Sequence, residues 1–133
     1  MIIQGPLGLD FTRRTRGWPL PCIETGALTT AHPPTIHRLR LWRRPAITVK
    51  DRPDWIFIKL HCHGMDARDE AAMLGSPLRR FLLELTQGAG AGSGYRVHFV
   101  TAREMVNIIL AACDGREGNP GDYRDYRLRL ITP

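Results

Sequence analysis

Apolar positions recur with helical and strand-like periods in alternation from residue 35 onward, whereas residues 1–34 are broken by Gly-Pro, Pro-Leu-Pro and Pro-Pro. In that lead-in, residues 1–4 and 21–24 read as short strands and the rest as loop. Thr35 follows the double proline as an N-cap, and Ile36, Leu39 and Trp42 then fall on one helical face. Pro45 predicts the stop, because proline disfavours the helical conformation of its predecessor. Residues 55–60, Trp-Ile-Phe-Ile-Lys-Leu, are aromatic and β-branched and predict a strand bounded by Pro53. Their nearly continuous apolarity predicts burial on both faces, as in a parallel sheet.

The same reading carries on to the end of the chain. Ser76-Pro77 opens a helix, serine as cap and proline in the first turn. Leu78, Phe81, Leu82 and Leu85 mark its apolar face, and Gly88 its end. The stretch Ala89-Gly-Ala-Gly-Ser-Gly94 is a loop before a strand at 95–100. Thr101 and Glu104 have capping-box spacing, and Met105, Val106, Ile109, Leu110 and Cys113 continue that helix to about Gly115. A last strand is predicted over 126–131. Strand, helix, strand, helix, strand makes a small βαβαβ α/β domain, with right-handed crossovers and parallel pairing as the expectation. One domain of 1–133 is expected: an extended Pro/Gly-rich lead-in (1–34) and an α/β core (35–133), a size that sustains a core without disulfides or metal.

Composition narrows the function classes. Nineteen Lys and Arg face thirteen Asp and Glu, a net charge of +6, and only Lys50 and Lys59 are lysines. The planar arginine fork suits carboxylates and phosphates. Nucleic acid is therefore a candidate partner, although the arginines are spread over 13–16, 38–44, 79–80 and 124–129 and a solvated basic surface is the favoured reading. Cys22, Cys62 and Cys113 form no C-x-x-C pair, which excludes a zinc knuckle or a thioredoxin-type couple and fits reduced thiols in a cytoplasmic protein. No signal peptide and no apolar run of membrane-spanning length is read, so no membrane partner is expected.

The chemistry-bearing feature is the tip His61-Cys-His-Gly64 at the end of the 55–60 strand. If strand geometry continues, His61 and His63 project to one side with Cα atoms roughly 6.6–7 Å apart. They are the candidate catalytic residues and the candidate ligands of a divalent metal such as zinc. The carboxyl ends of parallel strands are where α/β folds place ligands. Gly64 would let a ligand come close, and Asp66, with Asp69 and Glu70 behind it, is a candidate ligand-binding oxygen or imidazole-orienting group. Cys62 is expected to point into packing as a small hydrophobe. His98 and Arg103 are further ligand-binding candidates: His98 because its strand alternation matches that of His61, Arg103 because it opens the next helix free of the capping that occupies Glu104. No P-loop, dinucleotide fingerprint, H-E-x-x-H or G-x-S-x-G occurs.

Several segments together resemble a known family. Gly5-Pro-Leu-Gly-Leu, His32-Pro-Pro-Thr35, Arg52-Pro-Asp-Trp-Ile-Phe-Ile-Lys-Leu-His-Cys-His-Gly64, His98-Phe-Val-Thr-Ala-Arg-Glu-Met105 and Asn119-Pro-Gly-Asp-Tyr-Arg-Asp-Tyr126 resemble the C-terminal region of polysaccharide deacetylase-like (NodB-homology) proteins. The resemblance implies part of a distorted (β/α) barrel, metal-dependent hydrolysis of carbohydrate N-acetyl groups, and a late histidine acting as general acid, matched here by His61 or His63. The Asp-Asp pair and His-x-x-x-His segment that hold the metal in that family do not occur. A hydrolytic metal needs several protein ligands and an open position for water. The expectation is therefore a binding or assembly module that is not catalytic alone, forming a homodimer through exposed sheet edges. A deacetylase-like hydrolase completed by a partner or dimer, with carbohydrate as ligand, is the alternative; nucleic-acid binding through the arginines is the second.

Overall fold

The computed structural model describes residues 2–14, 20–64, 66–88 and 94–129. Its elements are β1 (Leu7–Arg14), β2 (Pro21–Thr25), α1 (Ile36–Arg43), α2 (Glu70–Leu74), α3 (Ser76–Gly88) and α4 (Ala102–Cys113), with 3-10 turns at Ala67–Asp69 and Pro120–Tyr123. The protein is thus mixed α/β. It divides into two compact units, each built from two stretches of chain: a ribbon unit, Ile2–Ala46 with Ile58–Arg96, and an α4 unit, Ile47–Phe57 with Val97–Pro133.

The helices form where local signals place them. The Thr35 side chain accepts from the Arg38 amide, and α1 ends two residues before Pro45. α3 opens at Ser76 and runs to Gly88. The Thr101 hydroxyl accepts from the Glu104 amide while the Glu104 carboxylate accepts from the Thr101 amide, so both halves of the capping box are made.

Of the expected strands, the one at residues 21–24 forms as β2, whereas residues 2–4 form none and the later ones depart from expectation. Among the described residues the sheet is a two-stranded antiparallel ribbon, β1–β2, inside the lead-in that the prolines marked as mostly loop. Residues 55–60 and 95–100 form no strand, nor do residues 126–129; residues 130–131 of the last expected strand lie outside the described residues. A strand exists only through a ladder, and the apolar run at 55–60 has none: one bond joins the Phe57 amide to Ile47 O, 2.8 Å. Nor is that run buried on both faces. Trp55 and Phe57 are buried and Ile56 between them is exposed, an alternation that one-sided packing produces. Among the described residues the single parallel pairing is a bridge between Ala27 and His61.

In the α4 unit, Trp55 and Phe57 pack with Ile108 and Ala112 of α4, and Val49, Val100, Met105, Ile109 and Tyr123 close around them. Fully buried Asn107 ties the following chain to this core. Its Nδ2 donates to the carbonyls of Arg124 and Leu128, both at 2.7 Å, and its Oδ1 accepts from the amides of Arg127 and Leu128. All its hydrogen-bonding capacity is met, as a buried amide requires.

The ribbon unit is organised around an ion pair. Arg38, in the first turn of α1, donates from Nε and Nη2 to Oε1 of Glu24, at 2.9 and 2.7 Å, with both side chains more than nine-tenths buried. Its remaining donors reach the carbonyls of Thr25, Ala27, His32 and Pro33. Trp42 Nε1 donates to the same Glu24 oxygen at 2.9 Å and stacks edge-on against Phe81 of α3. Leu28, Leu39, Leu41, Ala72 and Leu85 are also buried in this unit.

Removing one partner of a buried pair leaves an uncompensated charge, at a cost of about 3–5 kcal/mol. We expect Glu24→Leu to lose about that much in urea-induced unfolding of the intact chain. A loss under about 1 kcal/mol would show that the pair does not hold the unit together.

Candidate functional site

The five residues singled out by sequence divide between the two units. His61, His63 and Asp66 belong to the ribbon unit, His98 and Arg103 to the α4 unit.

His61 is positioned by backbone: its amide donates to Gly26 O (3.0 Å) and its carbonyl accepts from the Leu28 amide (2.8 Å). The approach to Gly26 is close, since a Cβ there would lie 2.6 Å from Lys59 O, so residue 26 must lack a side chain for the bridge to form. Beyond the bridge the chain turns outward. His61, Cys62, His63 and Gly64 are all exposed, which corrects the expectation that Cys62 packs inward. A side chain at Gly64 would meet open space, so the backbone does not require glycine there. The tip is a pair of solvated imidazoles on an anchored stalk.

Asp66 faces its own neighbour. Its carboxylate accepts from Arg68 Nε (3.0 Å), Nη2 (2.8 Å) and the Arg68 amide, and caps the 3-10 turn Ala67–Asp69. The Arg68 side chain and amide, aided by His63, hold this carboxyl down to about 2. Asp69 is buried and accepts from the Thr30 amide at 2.8 Å, a structural use. Among the described residues no three His, Cys, Asp or Glu side chains come together as a metal site.

In the α4 unit, His98 is half-buried, and a Cβ at Gly121 would sit 3.2 Å from its Nδ1. Arg103 donates to Asp125 Oδ1 at 2.6 Å and to the carbonyls of Arg124 and Leu128. It fastens the same segment as Asn107. An anion approaching Arg103 would compete with those bonds.

Sequence reading passed over a second polar cluster, in the ribbon unit. Asp10, 1% exposed, lies on the inward face of β1. Its Oδ1 accepts from the Thr12 hydroxyl (2.6 Å) and amide (2.9 Å) and lies 3.3 Å from His37 Nε2, which is also 3.2 Å from Thr12 Oγ1. Because the hydroxyl proton is directed at Asp10 and one imidazole nitrogen serves both contacts, this is no nucleophile–base relay, which needs the hydroxyl to donate to the base. Asp10 Oδ2 is buried with no hydrogen-bond partner among the described residues. The alternation Leu7, Leu9, Phe11 around Asp10 was the available signal.

That alternation defines the most unusual surface of the molecule. In the ribbon register Leu9 faces Ile23 and Asp10 faces Cys22, so the inward face presents Asp10, Cys22 and Glu24 and the outward face Leu7, Leu9, Phe11 and Ile23. Asp10 and Glu24 are 1% and 3% exposed, whereas Phe11 and Ile23 are 69% and 71% exposed. The usual polarity of a half-buried ribbon is inverted. A second, shallower apolar feature lies on α2 and α3, an open hollow of about 450 Å³ lined by Met73, Leu74, Leu78, Leu82 and Leu83.

The Asp10 cluster carries a pH dependence. Burial pushes this carboxyl up, but the Thr12 hydroxyl and amide, with His37, outweigh it and hold the group below its ordinary value of 3.8. A lowered carboxyl stabilises the fold above its unfolded pKa, and that contribution is lost as pH falls through the folded value. We expect the Asp10 carboxyl carbon to titrate below 3.8 by NMR, and Asp10→Asn to flatten the fall in stability below that pH. A midpoint at or above 3.8 would contradict this.

Compared with family models, curated proteins and solved structures, the chain matches none.

Proposed function

We propose that this chain is a binding and assembly module that associates with a second copy of itself through the outward face of the β1–β2 ribbon. The inverted polarity of the ribbon carries this reading. Leu7, Leu9, Phe11 and Ile23 make a contiguous apolar strip while carboxylates occupy the inward side. Exposed strips of this kind mark association surfaces. The four side chains are uncharged, and exposed Arg13 follows them toward the end of β1. A two-fold axis over the Leu9–Ile23 pair would set each strip on its equal, the isologous arrangement that most homodimers adopt. Each of these side chains contributes about 1.5–3 kcal/mol when fully removed from water.

A second reading follows from the resemblance to polysaccharide deacetylase-like proteins. In it the chain is the late part of a βαβαβ barrel, and His61 and His63 hold a zinc ion, completed by a partner, against a carbohydrate. The observation that favours it is the parallel bridge of His61 with Ala27, which presents both imidazoles to solvent at the end of an anchored segment.

Sedimentation equilibrium at high micromolar concentration is expected to show a particle of twice the 15.0 kDa chain mass. Leu9→Ser with Phe11→Ser is expected to return it to monomer with unchanged circular dichroism. A monomeric parent chain would end the assembly reading. For the second reading, protein purified without an affinity tag should contain zinc, and His61→Ala with His63→Ala should abolish it. Absence of zinc, with a melting temperature unmoved by added zinc, would end that one.

A further inference from the structure

The net charge is not shared between the two units. The ribbon unit contains twelve Lys and Arg against six Asp and Glu, and the α4 unit seven against seven, so the ribbon unit alone accounts for the +6. In the α4 unit the arginines meet carboxylates: Arg52 faces Asp54 and Glu117, Arg103 faces Asp125, Arg124 faces Glu104 and Arg127 faces Asp114. The ribbon unit does the opposite around α1. Between Asp10 and Asp51 the one acidic residue is Glu24, and it is buried on Arg38. Every exposed formal charge that the described part of residues 2–46 presents is therefore positive.

On α1 these charges line up. Arg40 and Arg44 succeed one another at i and i+4, the spacing of one helix face, and both are exposed. Arg43 lies beside them with its guanidinium 4.1 Å above the ring of Tyr95, which precedes exposed Arg96. No carboxylate pairs with Arg40, Arg43, Arg44 or Arg96 among the described residues. Complementing the helix dipole does not account for the cluster, because α3 and α4 are longer and end without a basic residue.

We infer that this face of α1 is a contact surface for the phosphate backbone of double-stranded nucleic acid. From residue 40 to residue 44 the pair spans about 6 Å along the helix axis. That is the rise of about two nucleotides of one duplex strand. Arginine forks match phosphate oxygens bidentately. Arg43 lies over the Tyr95 ring, and contacts from these guanidiniums to phosphate position the protein without reading sequence. This surface is separate from the outward face of the ribbon, since α1 packs on the inward one.

The test is fluorescence anisotropy with a labelled duplex of arbitrary sequence, from 50 to 200 mM salt. Binding at 50 mM is expected, with log K falling linearly against log salt. Arg40→Gln with Arg44→Gln should reduce that slope by about 2, at about 0.9 per phosphate contact, and leave the melting temperature unchanged. Arg124→Gln, in the charge-balanced unit, should leave the slope as it is. Lack of binding at 50 mM, or a slope unaltered by the α1 variant, overturns the inference. Polyglutamate bound as tightly as duplex would also overturn it, showing a surface for acidic protein instead. Because the ribbon variant Leu9→Ser with Phe11→Ser leaves α1 intact, its effect on mass and the α1 variant's effect on slope are read independently.

Discussion

The ribbon unit depends on the requirement that a buried guanidinium be fully paired. Arg38 sits buried in the first turn of α1, and a carboxylate and a ring of carbonyls replace its hydration. Glu24 is that carboxylate. Once Glu24 faces inward, strand alternation assigns every other side chain of the ribbon: Cys22 and Asp10 go in with it, and Ile23, Leu9, Leu7 and Phe11 go out. A slip of one residue would bury Ile23 and turn Glu24 to solvent, which the desolvated arginine forbids. The ion pair is a register lock, and the apolar outer strip is its by-product.

The α4 unit is organised by different means. Trp55, Phe57 and one face of α4 supply apolar burial, and Asn107 and Arg103 fasten the chain that follows α4 by bonding its backbone. Its seven Lys and Arg are matched by seven Asp and Glu, several of them in ion pairs. One chain thus holds a unit built on a buried ion pair beneath a basic surface and another whose formal charges balance.

What was legible in the sequence is what local chemistry decides. Thr35, Ser76-Pro77, Thr101 with Glu104, Pro45 and Gly88 bounded the three longer helices because capping acts over a single turn. Strands were less legible because a strand is defined by its partner. Residues 55–60 have ideal strand composition and find no ladder, while Leu7-Gly-Leu-Asp-Phe, interrupted by glycine and flanked by proline, finds one in β2. Arg38 and Asn107 were invisible for a related reason. A charged or amide residue inside a helix reads as solvent-facing, and its true position follows from acceptors 14 to 21 residues away. The exposure of the histidine tip goes with the Ala27 bridge, a pairing 34 residues distant that no local signal announces.

The separation of the outer strip from the folding core has a consequence for how this sequence changes over time. Leu7, Leu9, Phe11 and Ile23 are not held apolar by the packing of the single chain. Selection for folding alone leaves those four positions free to drift toward polar residues, while Asp10, Glu24 and Arg38 between them cannot move. In any lineage of such chains the two faces of one ribbon would therefore keep separate records, the inner one of foldability and the outer one of whatever the ribbon rests against.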